Sequence, residues 1–347
     1  MLESKKENLN SNRSALVLKK NHFSLFIKIA VGIASFGFIY FKLKPQLSPD
    51  SIELLKNSFT AHNHFLYLCF TFLLLFANWG IEILKWQVIT RSIESVNYYT
   101  ATKSVLTGIC LGNLTPGRIG EFAGRILFFK TENRSKIAVT HFVCGLTQLF
   151  TTVSLGIIAL LIRVNSSGQE NNFNLILICC LTFFGILILL IAKINSIYPW
   201  LSQLKWLKRF NLGQVEYSQK TLMLLMLLSV LRYSVFSFQY FLLLTINGVE
   251  GNTLQLFAAI AVSFMLMSSI PMISFIEAAI RAAIAILLFE SFHANNLQIV
   301  SASTLLWLIN IMLPSLIGYF IFVKRKPDMI ISSKFKVQNS KSDSGYD

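Results

Sequence analysis

Hydrophobic residues in this chain form long, nearly uninterrupted stretches. Six of them are long enough to cross a hydrocarbon core of about 30 Å as helices, and they lie near 23–41, 63–89, 136–163, 174–193, 221–246 and 298–323. Two further apolar regions lie at about 101–129 and 254–290. A proline interrupts each of these two regions, Pro116 in the first and Pro271 in the second. The pattern predicts an all-α polytopic membrane protein with six full spans and two broken helical regions.

Composition agrees with an integral membrane protein. Of the 347 residues, 54% are hydrophobic and only 14% are charged, which is too apolar for a soluble protein of this length. The net charge of +15 raises nucleic acid as a partner. However, the lysines and arginines are concentrated at the chain ends and in short loops, where membrane topology explains them. We therefore expect membrane lipids, and no nucleic acid, as partners.

The distribution of basic residues predicts the orientation of the chain, because cytoplasmic loops carry an excess of lysine and arginine. The basic N-terminus, 1–22, is expected in the cytoplasm, and so is the tail, 324–347, as a disordered segment. Basic residues flank 101–129 on both sides, so this region is predicted to enter and leave the membrane on the cytoplasmic side. The connectors around 254–290 contain no lysine or arginine, so that region is predicted to enter from outside.

Two re-entrant hairpins that enter from opposite faces predict an inverted repeat. Half one, 23–163, and half two, 174–323, then have opposite orientations within a single membrane domain, 23–323. Transporters built this way bind their substrate between the halves, near the bilayer midplane. In the alternative topology each broken region crosses once, which makes the repeat parallel and reverses the charge bias of several loops.

Each broken region carries a glutamate and an arginine after its proline. Glu121 with Arg125, and Glu277 with Arg281, are four residues apart and so share a helix face. An ionisable side chain in a membrane helix costs about 2.5–3.5 kcal/mol on insertion scales, so such pairs need compensation. A binding function is one reason to keep them. The alternatives are a purely structural ion pair in each hairpin, or pairing of Glu277 with an arginine of the other hairpin, Arg118 or Arg125.

The first hairpin offers the features of an anion site. Gly117 after the proline is expected to open the backbone at the hairpin tip. The returning half-helix then presents free amides and a positive dipole end beside Arg118, which suits a lipid phosphate. We predict nine substrate-binding residues across the two regions: Asn113, Thr115, Gly117, Arg118, Glu121, Arg125, Ser269, Glu277 and Arg281.

Polar residues elsewhere give weaker signals. Glu82 and Lys85, near the end of a span, are interpreted as an interfacial ion pair, and Arg232 as facing the interior of the helix bundle. The five cysteines and five histidines show no spacing typical of a metal site or a disulfide framework. The chain contains no zinc-protease motif, and neither hairpin contains a nucleophile beside a histidine base. We expect no cofactor, no metal and no enzymatic activity.

The chain resembles the lysylphosphatidylglycerol synthase transmembrane family, the flippase-like membrane domain. The match lies in Thr115-Pro-Gly-Arg-Ile-Gly-Glu121 with Arg125, and in Glu277 after Pro271, within roughly residues 23–325. The resemblance implies movement of lipids with polar headgroups between leaflets. Some members carry a soluble aminoacyl-transferase domain, which we do not expect here because only about 24 residues follow the last span.

Two departures from the family pattern bear on the mechanism. The stretch 273–276 is bulky where family members often have glycines, and 143–148 is uncharged where many carry a Glu-Arg pair. We expect a multi-pass protein of the cell (inner) membrane whose Arg118 and Arg125 contact the phosphate of an anionic lipid or lipid-linked headgroup. Glutamates of the site would orient these arginines, bind a cationic group or exchange a proton. The alternative function is a non-transporting lipid-binding or scaffold subunit, with an envelope glycosyltransferase or lipid-modifying enzyme as its partner.

Overall fold

A computed structural model describes residues 62–166, 215–270, 274–292 and 294–324, with a few isolated positions outside these ranges. All regular elements in the described ranges are helical. The expected spans at 23–41 and 174–193, the basic N-terminus and the tail lie outside them. The all-α class is therefore confirmed for the described part of the chain.

The described ranges contain the following helices: α1 (His62–Thr90), α2 (Tyr98–Leu114), α3 (Ile119–Ile126), α4 (Arg134–Ser166), α5 (Gln219–Ile246), α6 (Thr253–Ser269), α7 (Ser274–Phe289), α8 (Asn296–Trp307) and α9 (Leu313–Lys324). Short 3-10 turns precede α3 and α4 and follow α7. A π-helical turn, Leu308–Met312, joins α8 to α9, so the two run on as one long helix. The broken regions become the pairs α2 with α3 and α6 with α7, within three residues of the predicted limits.

Four helical segments in the described ranges are long and apolar enough to cross a membrane: His64–Thr90, Thr131–Arg163, Gln219–Ile246 and Asn296–Lys324. They coincide with four of the six predicted spans. Between 28% and 33% of the apolar window of each is buried inside the protein. These features are those of a multi-pass membrane protein.

Close glycine packing joins α2 to α3. Each helix carries two glycines four residues apart, Gly108 and Gly112 on α2 and Gly120 and Gly124 on α3. A Cβ atom on Gly124 would lie 2.6 Å from the Cα of Gly108, and one on Gly108 would lie 2.6 Å from the Cγ of Arg125. Small residues at this spacing let helix backbones approach closely in membranes. The glycines therefore make room for the charged side chains of α3 beside α2.

Two hydrophobic cores support the broken regions. The first core surrounds Trp86 and Ile109 and joins α1, α2, α4 and the first turns of α5. The second surrounds Leu243, Ile260 and Phe289 and joins α5, α6, α7 and α8, with one residue of α4. The paired helices of each broken region are thus anchored by a separate core, and polar residues collect where the two parts meet.

We predict that Gly124→Ala destabilises the protein, because the new methyl group would overlap α2 and force the helices apart. Overpacking of this kind costs about 1–3 kcal/mol. Gly145→Ala is the matched control, since a Cβ atom there meets no atom within 4 Å. Thermal unfolding in detergent should show a lower midpoint for Gly124→Ala and an unchanged or higher one for Gly145→Ala. Equal midpoints would contradict the glycine-packing account.

Candidate functional site

A cavity of about 440 Å³ lies where the two broken regions meet. The first region contributes Gly117 and Arg118, and the second contributes Ser268, Glu277 and Arg281. Side chains of α1, α4 and α5 complete the polar lining, namely Asn78, Gln148, Thr152 and Arg232. The volume is that of a typical small-molecule site. Four of the predicted binding residues therefore meet at one cavity, namely Gly117, Arg118, Glu277 and Arg281, whereas Glu121 and Arg125 are not among its lining residues.

The turn before α3 is held in a rare backbone conformation. Gly117 and Arg118 both adopt left-handed dihedrals, with φ of 66° and 57°. A non-glycine residue in this conformation costs about 1–3 kcal/mol and persists only when its surroundings enforce it. Thr115 provides one such restraint, because its hydroxyl donates to the Leu111 carbonyl at 2.9 Å and accepts the Gly120 N–H at 2.7 Å. Thr115 therefore shapes the turn, and its contact with substrate stays a prediction.

Charged side chains of α3 form a chain that begins at this turn. A carboxylate oxygen of Glu121 lies 3.2 Å from Nε of Arg118. The other oxygen accepts a hydrogen bond of 2.8 Å from Nη2 of Arg125. The same nitrogen donates to Glu82 of α1, also at 2.8 Å. The guanidinium of Arg125 lies 4.9 Å from the centre of the Trp86 ring, at cation–π distance. Arg125 therefore bridges two carboxylates rather than one.

The chain continues from Glu82 into α5 and the π-helical turn. The second oxygen of Glu82 accepts a bond of 2.9 Å from Nη1 of Arg232. Nε of Arg232 donates to the side-chain oxygen of Asn78 at 3.2 Å. The amide nitrogen of Asn78 donates to Asn310 at 2.9 Å. One continuous polar network thus runs from the cavity turn to the π-helical turn between α8 and α9.

The polar network beside the cavity carries excess positive charge, which suits an anion. The network contains three arginines, Arg118, Arg125 and Arg232, against two carboxylates, Glu82 and Glu121, which leaves one positive charge (3 − 2 = 1). The pair of the second region adds none, because Glu277 binds Arg281 through bonds of 2.6 and 3.1 Å. Excess positive charge in a low-dielectric cleft attracts anions. The described residues contain no group of three or more side chains that could hold a metal ion.

The predicted interfacial pair of Glu82 and Lys85 is wrong. Both residues are buried inside the protein, with 5% and 1% of their surface exposed. Glu82 binds arginines that lie 43 and 150 positions away in sequence, and the local spacing to Lys85 gave no sign of these partners. Arg232 faces the bundle interior, as predicted, and its guanidinium lies 5.3 Å from the centre of the Trp79 ring.

Three other predicted residues are placed as follows. Asn113 lies outside the cavity lining, with its side-chain amide buried and without a hydrogen bond to any described residue. Ser269 is exposed and donates to the Met265 carbonyl at 3.0 Å, whereas its neighbour Ser268 lines the cavity. Glu277 forms no ion pair across to Arg118 or Arg125 in the described ranges.

Several residues of the site were not predicted from the sequence. Asn78, Glu82, Gln148 and Arg232 were not among the predicted binding residues. Their location inside apolar spans could have identified them, because polar and charged residues are rare there and face the bundle interior. Gln148 has a buried side-chain oxygen that makes no hydrogen bond with the described residues. It leaves an unused polar group in the cavity wall.

The chain was also compared with known proteins. A family model described as Lysylphosphatidylglycerol synthase TM region matches residues 25–318. No curated protein gives a significant match. The matched range contains both broken regions and every residue of the polar network.

We predict that Glu82→Gln destabilises the protein strongly. The substitution leaves Arg125 and Arg232 buried with too little negative charge, and breaking a buried ion pair this way costs about 3–5 kcal/mol. Glu250→Gln serves as the control, because Glu250 lies in an exposed connector. Thermal unfolding in detergent should separate the two variants clearly. If Glu82→Gln were as stable as Glu250→Gln, the carboxylate would not hold the network together.

Proposed function

The chain belongs to the lysylphosphatidylglycerol synthase TM region family, and from that premise we propose that it binds a phospholipid with an anionic headgroup and moves it between leaflets. Family membership and the four apolar helices make it a membrane protein of a lipid-related family. The specific flippase activity is our proposal. The observation that carries it is the positively charged cavity shared by the two broken regions.

Arginines of the cavity have donors to spare for a phosphate. Arg118 keeps 39% of its side chain exposed, Arg232 keeps 22% and Arg281 keeps 17%. A guanidinium carries five N–H donors in a planar fork, and each of these arginines uses only part of its set on the protein. Arginine and phosphate oxygens form strong paired hydrogen bonds. The arginines are therefore suited to hold a headgroup phosphate, while Glu277 and Gln148 offer acceptors to hydroxyl or amine groups beside it.

Helix length supports a re-entrant arrangement of the broken regions. With 17 and 8 residues, α2 and α3 measure about 25 Å and 12 Å. The 16 residues of α7 measure about 24 Å. Each is shorter than the hydrocarbon core of about 30 Å. We propose that each pair enters and leaves on one face, that the two faces are opposite, and that six full spans complete an inverted repeat.

An inverted repeat gives a route for transport. The two halves would rock against each other and expose the central cavity to one leaflet at a time. Polar ties cross the boundary between the halves, because Asn78 and Glu82 lie in the first half and Arg232 and Asn310 lie in the second. A phosphate bound at Arg232 would compete with Glu82 and loosen these ties. The protein would reside in the cell (inner) membrane with both termini in the cytoplasm.

We predict that Arg118→Ala weakens binding of an anionic phospholipid by about 10- to 100-fold, which corresponds to one lost charge-assisted hydrogen bond of about 1.5–3 kcal/mol. The probe is short-chain phosphatidylglycerol, titrated calorimetrically into purified protein in detergent. Arg91→Ala removes an exposed arginine at the end of α1 and should bind like the wild type.

Arg118→Lys tests what the arginine contributes. It keeps the charge but loses the planar fork, so its affinity should fall between those of Arg118→Ala and the wild type. Wild-type affinity in a folded Arg118→Ala variant, with an unchanged unfolding midpoint, would remove Arg118 from the site.

A further inference from the structure

Lys85 lies in the buried charged cluster around Glu82. Among the described residues it is the one charged side chain of this cluster that forms no ion pair. It lies on α1, one helical turn after Glu82, and only 1% of its surface is exposed. Both oxygens of Glu82 already accept hydrogen bonds from arginines, Arg125 and Arg232. A buried ammonium without a paired carboxylate is costly and marks a functional position in a membrane protein.

Among the described residues, the charged and titratable groups close enough to interact electrostatically with Lys85 come from four helices. Glu82 is on its own helix, Arg125 is on α3, Cys144 is on α4 and Arg232 is on α5. Cys144 is itself buried, with 3% of its surface exposed. His141 is a further titratable group of α4, close to this cluster against the ring of Trp86.

Charge balance gives Lys85 a role that the arginines cannot take. With Lys85 protonated, the network of three arginines and two carboxylates reaches two excess positive charges (3 + 1 − 2 = 2). Bringing in an anion, or releasing one proton, removes one of these charges. Arginine does not release its proton in proteins, whereas a buried lysine does. Lys85 is therefore the cation of the cluster whose charge can follow the occupancy of the cavity.

We propose that Lys85 is a proton-binding site coupled to the headgroup cavity, neutral when the cavity is empty and protonated when an anionic headgroup is bound. The inference rests on the proposed lipid-binding function and supplies its coupling ion. One proton adds to the amine of Lys85 for each phosphodiester that binds, so the pair carries no net charge. Lipid and proton then cross the membrane together.

Glu82 connects the two events. Arg232 lines the cavity and binds Glu82 at 2.9 Å. A phosphate that binds Arg232 weakens the ion pair between Arg232 and Glu82. The Glu82 carboxylate can then pair with the ammonium of Lys85, which lies three residues along the same helix face. By thermodynamic linkage, protonation of Lys85 strengthens anion binding by the same factor by which anion binding favours protonation.

The test is calorimetric titration of purified protein with short-chain phosphatidylglycerol, whose phosphodiester keeps one negative charge throughout the range used. Each titration is repeated in two buffers of different ionisation enthalpy, which gives the number of protons taken up, from about pH 6 to about pH 10. In the wild type, uptake should rise with pH from zero towards about one proton per lipid. Over the same range affinity should weaken, up to about tenfold per pH unit.

Four variants test whether Lys85 is the group that takes up the proton. Lys85→Arg keeps the charge and Lys85→Met removes it, and both should bind lipid without proton uptake and with an affinity independent of pH. Cys144→Ser and His141→Gln remove the two neighbouring titratable groups and should retain the uptake. If Lys85→Met does not fold, the wild-type series and Lys85→Arg still decide the question.

The outcomes separate this inference from the proposed function. Lipid binding by the wild type without proton uptake at any pH overturns the role of Lys85 and leaves the lipid site intact. Uptake that persists in Lys85→Arg or Lys85→Met, or that disappears in Cys144→Ser or His141→Gln, also overturns it. No lipid binding at any pH contradicts the proposed function, and this inference with it.

Discussion

The site depends on the ion pairs that the carboxylate of Glu82 forms with two arginines. Buried charges are tolerated only when each is paired or hydrogen-bonded, and Glu82 satisfies one arginine with each oxygen, Arg125 at 2.8 Å and Arg232 at 2.9 Å. Through these two bonds it connects α1 to α3 and to α5. The arrangement leaves Arg118 as the outermost member of the network, exposed to the cavity and available to a ligand.

Glycine packing and backbone strain place that arginine. The glycines of α2 and α3 allow a backbone separation at which Arg125 fits beside Gly108, and this fixes the direction from which α3 leaves the turn. The turn itself holds Arg118 at a φ of 57°, a conformation that its surroundings must maintain. Strained residues are common at functional sites, where the surrounding structure offsets the cost of holding a side chain in a fixed position. The local sequence, the helix packing and the cavity are therefore linked through α3.

Much of this architecture is visible in the sequence, and the reasons for the remainder are specific. Apolar length predicted the described spans, and the spacing of Glu121 with Arg125 and of Glu277 with Arg281 predicted the ion pairs that both motifs form. The partners of Glu82 could not be predicted from the sequence, because they are distant along the chain and meet it only through helix packing. Ser268 lines the cavity and the predicted Ser269 does not, because adjacent residues point about 100° apart around a helix. The topology of the re-entrant pairs and the lipid remain proposals.

Transfer of labelled lipid between leaflets tests the central claim most directly. The measurement uses phosphatidylcholine proteoliposomes with a trace of phosphatidylglycerol that carries a fluorescent label on an acyl chain, away from the headgroup. A membrane-impermeant quencher reports how much of the label is in the outer leaflet. We expect the wild-type protein to accelerate transfer well above that in protein-free vesicles, and we expect Arg118→Ala to abolish the acceleration. Lipid binding without any acceleration of transfer would contradict the flippase and favour a non-transporting subunit that presents lipid to a partner enzyme.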